Sequence, residues 1–445
     1  MAKRLKTPEK IRTLQRKLYF KAKREPDFRF YLLYDKVYRP DILEHAYRLR
    51  RSVGGAPGVD GVSFSDIEAA GAEEWLRALA ADLREGRYKP QPVRRVMIPK
   101  AGGSGQRPLG IPTIRDRVVQ TAAVLVLEPI FEADFEPNAY GYRPNRSAQD
   151  AVKEVLAAIR GGEGQVVDAD LSGYFDTIPH RELLQSVARR ISDGKMLQLI
   201  KMWLKAPVEE TDEHGRKVLT RGKRSSRGTP QGGVISPLLA NIYIHRLLKA
   251  WKKFGLEKRL GARIVNYADD LVVVCRTKAG AREAHTWLEW ITGRLGLTLN
   301  ERKTCLRNAQ EESFDFLGYT FGPKRSRRTG RVYPGVAPSK KAVRQAKQSV
   351  RSVLRPGNQA PACAVVAAVN RRLVGWANYF SVGTLGAAYD AVDDYTNDLL
   401  RQFLVRRHKT PGRGVRRFTW QYLHQTLGLV RLEDRLRNAA SQALR

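Results

Sequence analysis

Apolar positions recur along this chain at two spacings, and the change from one to the other marks its elements. Near the N-terminus Ile11, Leu14 and Leu18 fall at intervals of three and four with lysines and arginines between them, which predicts an amphipathic helix with a cationic outer face. Gly54-Gly55-Ala56-Pro57-Gly58-Val59-Asp60-Gly61 is a dense turn signal that closes the N-terminal helices, and it lacks the Lys-Ser/Thr pair of a phosphate-cradling P-loop. Val93-Arg94-Arg95-Val96-Met97-Ile98-Pro99-Lys100 alternates as a strand does, and Gly102-Gly103-Ser104-Gly105 turns it into Arg107-Pro108-Leu109-Gly110-Ile111-Pro112. This predicts a β-hairpin with Lys100 and Arg107 near its tip, cations that are either simply exposed or placed to close over a triphosphate.

Gln165-Val166-Val167-Asp168-Ala169-Asp170-Leu171 reads as a strand whose period of two puts Asp168 and Asp170 on one face and Val167 and Ala169 on the other. From Pro179 to Leu204 the pattern is helical, with a break at Ser192-Asp193-Gly194. Arg227-Gly228-Thr229-Pro230-Gln231-Gly232-Gly233 exposes backbone and opens a helix, with Ser236 as its cap and Pro237 at its first position. Such a turn is either an ordinary loop or a place where a nucleotide or template strand approaches the backbone. Two β-branched strands, Ala262-Arg263-Ile264-Val265-Asn266 and Leu271-Val272-Val273-Val274-Cys275, flank Tyr267-Ala268-Asp269-Asp270. From Lys324 to Asn358 there is no acid but eleven lysines and arginines, and Val343, Ala346, Val350 and Leu354 predict a helix with a cationic face.

Charge changes what these elements are for. With 80 Lys+Arg against 45 Asp+Glu, the formal charge is +35, far beyond what solubility requires, and a field of that sign concentrates polyanions. Nucleic acid is therefore the expected partner. At 42% hydrophobic and 9% aromatic the chain has enough apolar surface for true cores, spread over about two or three domains. Cys275, Cys305 and Cys363 show no C-x-x-C spacing, which argues against structural zinc or a disulfide framework and for a reducing interior. No stretch reaches the roughly 20 apolar residues of a membrane span, and Met1-Ala2-Lys3-Arg4-Leu5-Lys6 lacks the apolar core of a signal peptide.

The candidate chemistry lies in carboxylates. Asp269 and Asp270 are either solvated turn formers or a cation site; their position between two buried strands favours the cation. A carboxylate in a hydrophobic strand is costly unless paired or bound to metal, which makes Asp170 the natural third ligand.

Taken in order, these segments resemble the motifs of a group II intron reverse transcriptase/maturase. Asp60-Gly61 looks like the family's first finger motif, and Arg107 to Pro112 with Asp116-Arg117 like its second. Asp170-Leu171-Ser172-Gly173-Tyr174-Phe175-Asp176 is similar to its aspartate-bearing motif, and Thr229 to Gly233 to its Pro-Gln-Gly turn. Tyr267-Ala268-Asp269-Asp270 matches its signature tetrapeptide, Gly296-Leu297-Thr298-Leu299-Asn300 through Lys303 the next motif, and Phe316-Leu317-Gly318-Tyr319 the last palm strand. Asn370-Arg371-Arg372-Leu373-Val374-Gly375-Trp376-Ala377-Asn378-Tyr379-Phe380 looks like its thumb helix. Arg406-Arg407-His408-Lys409 and Arg416-Arg417-Phe418-Thr419-Trp420 resemble its small DNA-binding region.

The resemblance implies an α+β right-hand polymerase with an antiparallel palm sheet, an α-helical thumb/maturase domain and a small helical DNA-binding region. The expected division is a basic extension over 1–55, fingers and palm over 56–322, thumb over 323–400 and a basic tail over 401–445. The implied activity is RNA-directed DNA synthesis on intron RNA by target-primed reverse transcription, together with assistance to splicing. Two other readings stand beside it: a splicing maturase alone, and a domesticated relative serving DNA repair or phage defence. Asp170, Asp269 and Asp270, with the Leu171 carbonyl, would hold two Mg²⁺ ions, which Mn²⁺ could replace. Lys100, Arg107, Phe175, Gln231 and Gly232 would form the dNTP pocket, with Phe175 excluding a 2′-hydroxyl; Asp168 is a neighbour rather than a ligand. Lys303, Arg371, Arg372, Arg406, Arg407, Arg416 and Arg417 would contact RNA or DNA. The implied partners are intron RNA, a DNA target or primer and dNTPs, bound by a monomer or dimer within a cytoplasmic, nucleoid-associated ribonucleoprotein. HNH-bearing relatives carry paired cysteines beyond the thumb; here none follows Cys363, so no endonuclease activity is expected.

Overall fold

The amphipathic stripe at the N-terminus finds its partner in a helix more than 90 residues further on. In a computed structural model describing residues 5–99, 105–212, 214–222, 225–326 and 329–435, α1 (Glu9–Arg24) buries Ile11 and Leu18 while its basic residues face outward. After α2 (Tyr34–Val37), α3 (Pro40–Val53) ends at Gly54, whose φ of 71° suits glycine. A capping box between Ser63 and Asp66 starts α4 (Phe64–Ala69), and α5 (Ala72–Arg84) leads into the hairpin of β1 (Val93–Pro99) and β2 (Gln106–Ile111). That hairpin is antiparallel with Ile98 opposite Arg107; Lys100 and the glycine-rich turn up to Ser104 lie outside the described residues. α6 (Ile114–Glu132) is buried along most of its length and receives α1, α2 and α3.

The middle of the chain builds the sheet that carries the acids. α7 (Ala148–Arg160) precedes β3 (Gln165–Asp170), and α8 (Tyr174–Thr177), α9 (His180–Ala188) and α10 (Gly194–Leu204) follow it. The break between α9 and α10 falls at Ser192-Asp193, as the sequence indicates. Asp193 accepts the Met196 N–H at 3.1 Å to cap α10, and the Leu33 and Tyr34 N–H groups at 2.8 Å. β4 (Pro207–Thr211) and β5 (Lys217–Arg221) extend the first hairpin to a sheet of order β2-β1-β4-β5. α11 (Ser236–Lys253) starts one residue earlier than expected. Its cap is Ile235, not Ser236; the Gln120 side chain from α6 accepts the Val234 N–H at 2.8 Å, and the Ser236 hydroxyl instead donates to the Pro230 carbonyl.

Following α12 (Leu256–Leu260) come β6 (Ala262–Tyr267), β7 (Asp270–Cys275), α13 (Lys278–Arg294) and β8 (Cys305–Asn308), giving a fully antiparallel sheet of order β6-β7-β3-β8. Period two divides its faces. Val167, Ala169, Leu271 and Val273 pack with α11 and α13, whereas Val166, Val265, Val272 and Val274 pack with α7 on the face that Asp168, Asp170 and Asp270 share.

The expected last palm strand is a hairpin instead. β9 (Phe314–Phe316) and β10 (Tyr319–Arg325) are joined by Leu317 and Gly318, both at positive φ (51° and 78°), and with β11 (Val332–Pro338) they form a separate sheet. Two residues of that sign are what a tight antiparallel turn requires. Ser339 caps α14 (Lys340–Val353), which packs with α15 (Ala362–Tyr379) and α16 (Gly386–Arg407) around Ala346, Val350, Leu373 and Leu400. α16 runs unbroken through residues 400 and 401, where the sequence separated thumb from tail, and Phe418, Leu423 and Leu432 bury against the same core. Among the described residues no helix is long and apolar enough to cross a membrane.

Candidate active site

Antiparallel register places two of the acids face to face. In the β3–β7 ladder Asp170 lies directly opposite Asp270, while Tyr267 pairs with Asp270 across the β6–β7 turn and leaves only Ala268 and Asp269 to close it. Ala268 takes φ of 59°, and the Asp269 carbonyl accepts the Leu171 N–H at 3.4 Å. Like charges directly opposite on neighbouring strands destabilise a sheet, and burial increases the cost. Burial pushes the Asp270 carboxyl up to about 7, with Asp269, Asp170 and Asp168 adding to the shift. Asp269 is raised for the same reasons, burial first and then Asp170. Asp168 is pushed up to about 6 by burial, and Arg307 beside it opposes the shift.

One cation already answers this charge. The Lys303 ammonium donates to Asp170 Oδ2 at 2.8 Å, and the Asn300 amide donates to the same oxygen at 3.3 Å. That hydrogen bond to Asp170 raises the Lys303 pKa. Lys303, named from the sequence as a nucleic-acid contact, thus pairs with Asp170 while most of its side chain stays exposed. Among the described residues no three carboxylate, imidazole or thiol groups stand close enough together to hold a metal ion by themselves. The carboxylate oxygens present are hard ligands of the kind that divalent ions take.

The turn is braced from outside the sheet by residues with no sequence signal of their own. Asn266, buried, donates from its side chain to the Ala268 carbonyl at 2.8 Å, and its backbone pairs with the Asn138 carbonyl and the Tyr140 N–H at 3.0 and 2.9 Å. A β-carbon at Gly141 would lie 2.4 Å from the Ala268 nitrogen, so only glycine allows this segment to press against the turn.

Beside the acids the Phe175 ring meets Tyr142 edge-on at 6.3 Å. Burial raises the Tyr142 hydroxyl, with Asp269 adding to the shift and Arg107 opposing it, although half of the side chain is exposed. The Pro-Gln-Gly turn docks onto β2: the Gln231 carbonyl accepts the Gly110 N–H at 2.6 Å, and a β-carbon at Gly232 would sit 2.2 Å from the Gly110 oxygen. The Gln231 amide reaches Asp176 at 3.4 Å. Gln231 and Gly232 thus lie against β2 and beside Asp176, the Phe175 carbonyl accepts the Thr229 N–H at 2.7 Å, and Arg107 sits on the same β2 opposite Ile98. The other basic residues named from sequence lie around the core of α14, α15 and α16, where Arg372 donates to Ser349 Oγ, Arg407 to the Ala360 carbonyl and Arg417 to Thr410 Oγ1. Arg371, Arg406 and Arg416 are exposed there.

An antiparallel sheet that sets paired aspartates at a two-residue turn, with a lysine bound to one of them, fits the reverse transcriptase class. Residues 98–321 match the family model for reverse transcriptase (RNA-dependent DNA polymerase), and residues 343–423 match the group II intron maturase-specific domain. Protein YkfC of Escherichia coli (strain K12) is 36% identical over 352 residues, 71% of this chain and 90% of its own length. The group II intron-encoded protein LtrA of Lactococcus lactis subsp. cremoris is 32% identical over 368 residues, 68% of this chain but 59% of LtrA. A putative COX1/OXI3 intron 1 protein of Saccharomyces cerevisiae is 30% identical over 294 residues, covering 55% of this chain and 34% of that protein. The chain belongs to the group II intron-encoded reverse transcriptase/maturase family.

Proposed function

We propose that this protein copies group II intron RNA into DNA from a primer at a DNA target, and that its basic surfaces help the same RNA fold for splicing. The observation that carries the reading is the opposition of Asp170 and Asp270 across β3 and β7, with Asp269 in the adjoining two-residue turn and the Lys303 ammonium on Asp170.

Two Mg²⁺ ions held by Asp170, Asp269, Asp270 and the Leu171 carbonyl would activate the primer 3′-hydroxyl and neutralise the leaving pyrophosphate. Lys303 keeps positive charge on Asp170 and holds that carboxylate in place. Phe175 would lie under the incoming sugar and exclude a 2′-hydroxyl by contact, so the substrate is a dNTP. Arg107 and Lys100 would meet the triphosphate, and Gln231 and Gly232 the nascent base pair. Asp176 fixes the Gln231 amide for that role.

The proposed division of labour follows the chain: residues 1–55 as basic extension, 56–322 as fingers and palm, 323–400 as thumb and 401–445 as a DNA-contacting tail. Arg371, Arg372, Arg406, Arg407, Arg416 and Arg417 would supply phosphate contacts on the last two. The test is to assay one preparation for cDNA synthesis on an RNA template and for splicing of the cognate intron at limiting Mg²⁺. Both activities are expected. Splicing without any extension would leave a maturase whose palm is a scaffold.

A further inference from the structure

A second cluster of aromatic and basic side chains lies on the far side of the palm. Phe254, just past α11, and Trp287 and Trp290 of α13 form a trio with ring centroids 5.0, 5.6 and 5.5 Å apart. Phe254 is 38% and Trp290 46% exposed, large values for rings that could have been buried. Two guanidinium groups frame them, Arg259 5.0 Å from the Trp287 ring and Arg294 5.4 Å from Trp290. Arg294 also lines a cleft of about 710 Å³ whose walls carry Arg181, Lys201, Lys205 and Arg227, with Glu182 as the one acid among its lining residues. Arg227 closes the cleft floor by donating to the Gly296 carbonyl at 3.4 Å.

This cluster is separate from the polymerase site. α13 packs through Ala284, Leu288 and Ile291 onto the sheet face of Val167 and Ala169, and strand alternation turns Asp168 and Asp170 to the opposite face. Polymerase substrates held at the carboxylates therefore lie across the sheet from Trp290.

We propose that the trio and the cleft together bind an unpaired polynucleotide strand, bases stacking on Trp290 and Phe254 and phosphates passing Arg294 into the cleft. Stacking platforms joined to a cationic groove are how single strands are held without sequence preference. A duplex hides the faces of its bases, so the exposed rings select an unpaired segment. An apolar protein partner fits less well, because the rings are flanked by guanidinium groups and continue into a cleft with five cations to one acid. RNA and DNA share the chemistry recognised here.

The experiment uses the full chain with its polymerase cleft filled by excess annealed DNA-primer/RNA-template duplex, and measures anisotropy of labelled oligo(U) and oligo(dT). Trp290→Ala combined with Phe254→Ala is expected to weaken binding of at least one strand by about fivefold or more. Arg294→Gln combined with Lys201→Gln should weaken it too, and reduce the slope of log affinity against log salt by about 1.4. Extension of the annealed duplex should be unchanged in both, a readout that separates this site from the polymerase reading. Unchanged affinity for both strands in either folded variant overturns the proposal. So does a Trp290→Ala change that converts a dimer to a monomer while strand affinity stays the same, since the patch would then be a protein interface.

Discussion

Asp170, Lys303 and Asp270 form a chain of charge in which each group depends on the next. With its ammonium on Asp170, Lys303 offsets repulsion that the β3–β7 register makes unavoidable. Lys303→Ala should cut primer extension by about 10- to 100-fold, the usual cost of removing a group that orients a metal-binding carboxylate. Lys303→Arg should recover only part of it, because a planar guanidinium replaces a compact charge. At Phe175 the expectation is a change of selectivity: Phe175→Ala should incorporate ribonucleotides that the wild type rejects. Single-nucleotide incorporation with rNTPs and dNTPs decides it, and unchanged discrimination would remove Phe175 from the pocket. The aspartates were legible because period two and a two-residue turn declare themselves locally. Tyr142, Gly141 and Asn266 were not, since each acquires its role from contact with the turn and those contacts are set by tertiary packing.

Among the elements, the braced turn gives the sharpest expectation. Gly141→Ala inserts a carbon 2.4 Å from the Ala268 nitrogen, a backbone atom with nowhere to move, so the Asp269 turn must shift. Extension should fall at least tenfold, while stability drops by about 1–3 kcal/mol as for other overpacked sites. Urea titration beside the extension assay would reveal an unfolded protein if packing alone were at fault. In α6, burial and the neighbouring Glu132 push Glu128 up to about 7. A carboxyl with a folded pKa above its unfolded value of about 4.3 stabilises the fold at acid pH and loses that contribution as pH rises toward 7. Glu128→Gln should therefore gain stability over the wild type between pH 5 and pH 8, by about 1–3 kcal/mol. A difference independent of pH would place the carboxyl in water. Amphipathic spacing made α1, α14 and the break between α9 and α10 legible. It could not reveal that Phe316 to Tyr319 is a hairpin, because Leu317 at positive φ is rare, nor that Gln120, more than 100 residues away, satisfies the start of α11.

For the whole molecule, charge of +35 was readable at once, but its arrangement required the fold. The basic residues of α14 to α16 and of the segment after α16 surround one shared apolar core, and those of the α13 side lie beyond the sheet from the carboxylates. Binding of an RNA–DNA duplex should weaken by about a thousandfold between roughly 50 and 200 mM salt if six or more phosphates are neutralised. RNA-templated nucleotidyl transfer by the opposed aspartates is decided by incorporation of a single dNTP onto a DNA primer annealed to RNA with Mg²⁺, comparing wild type with Asp269→Asn at matched duplex binding. Addition by the wild type and a loss of more than about 100-fold in the variant are expected. Equal incorporation by the two proteins would contradict it.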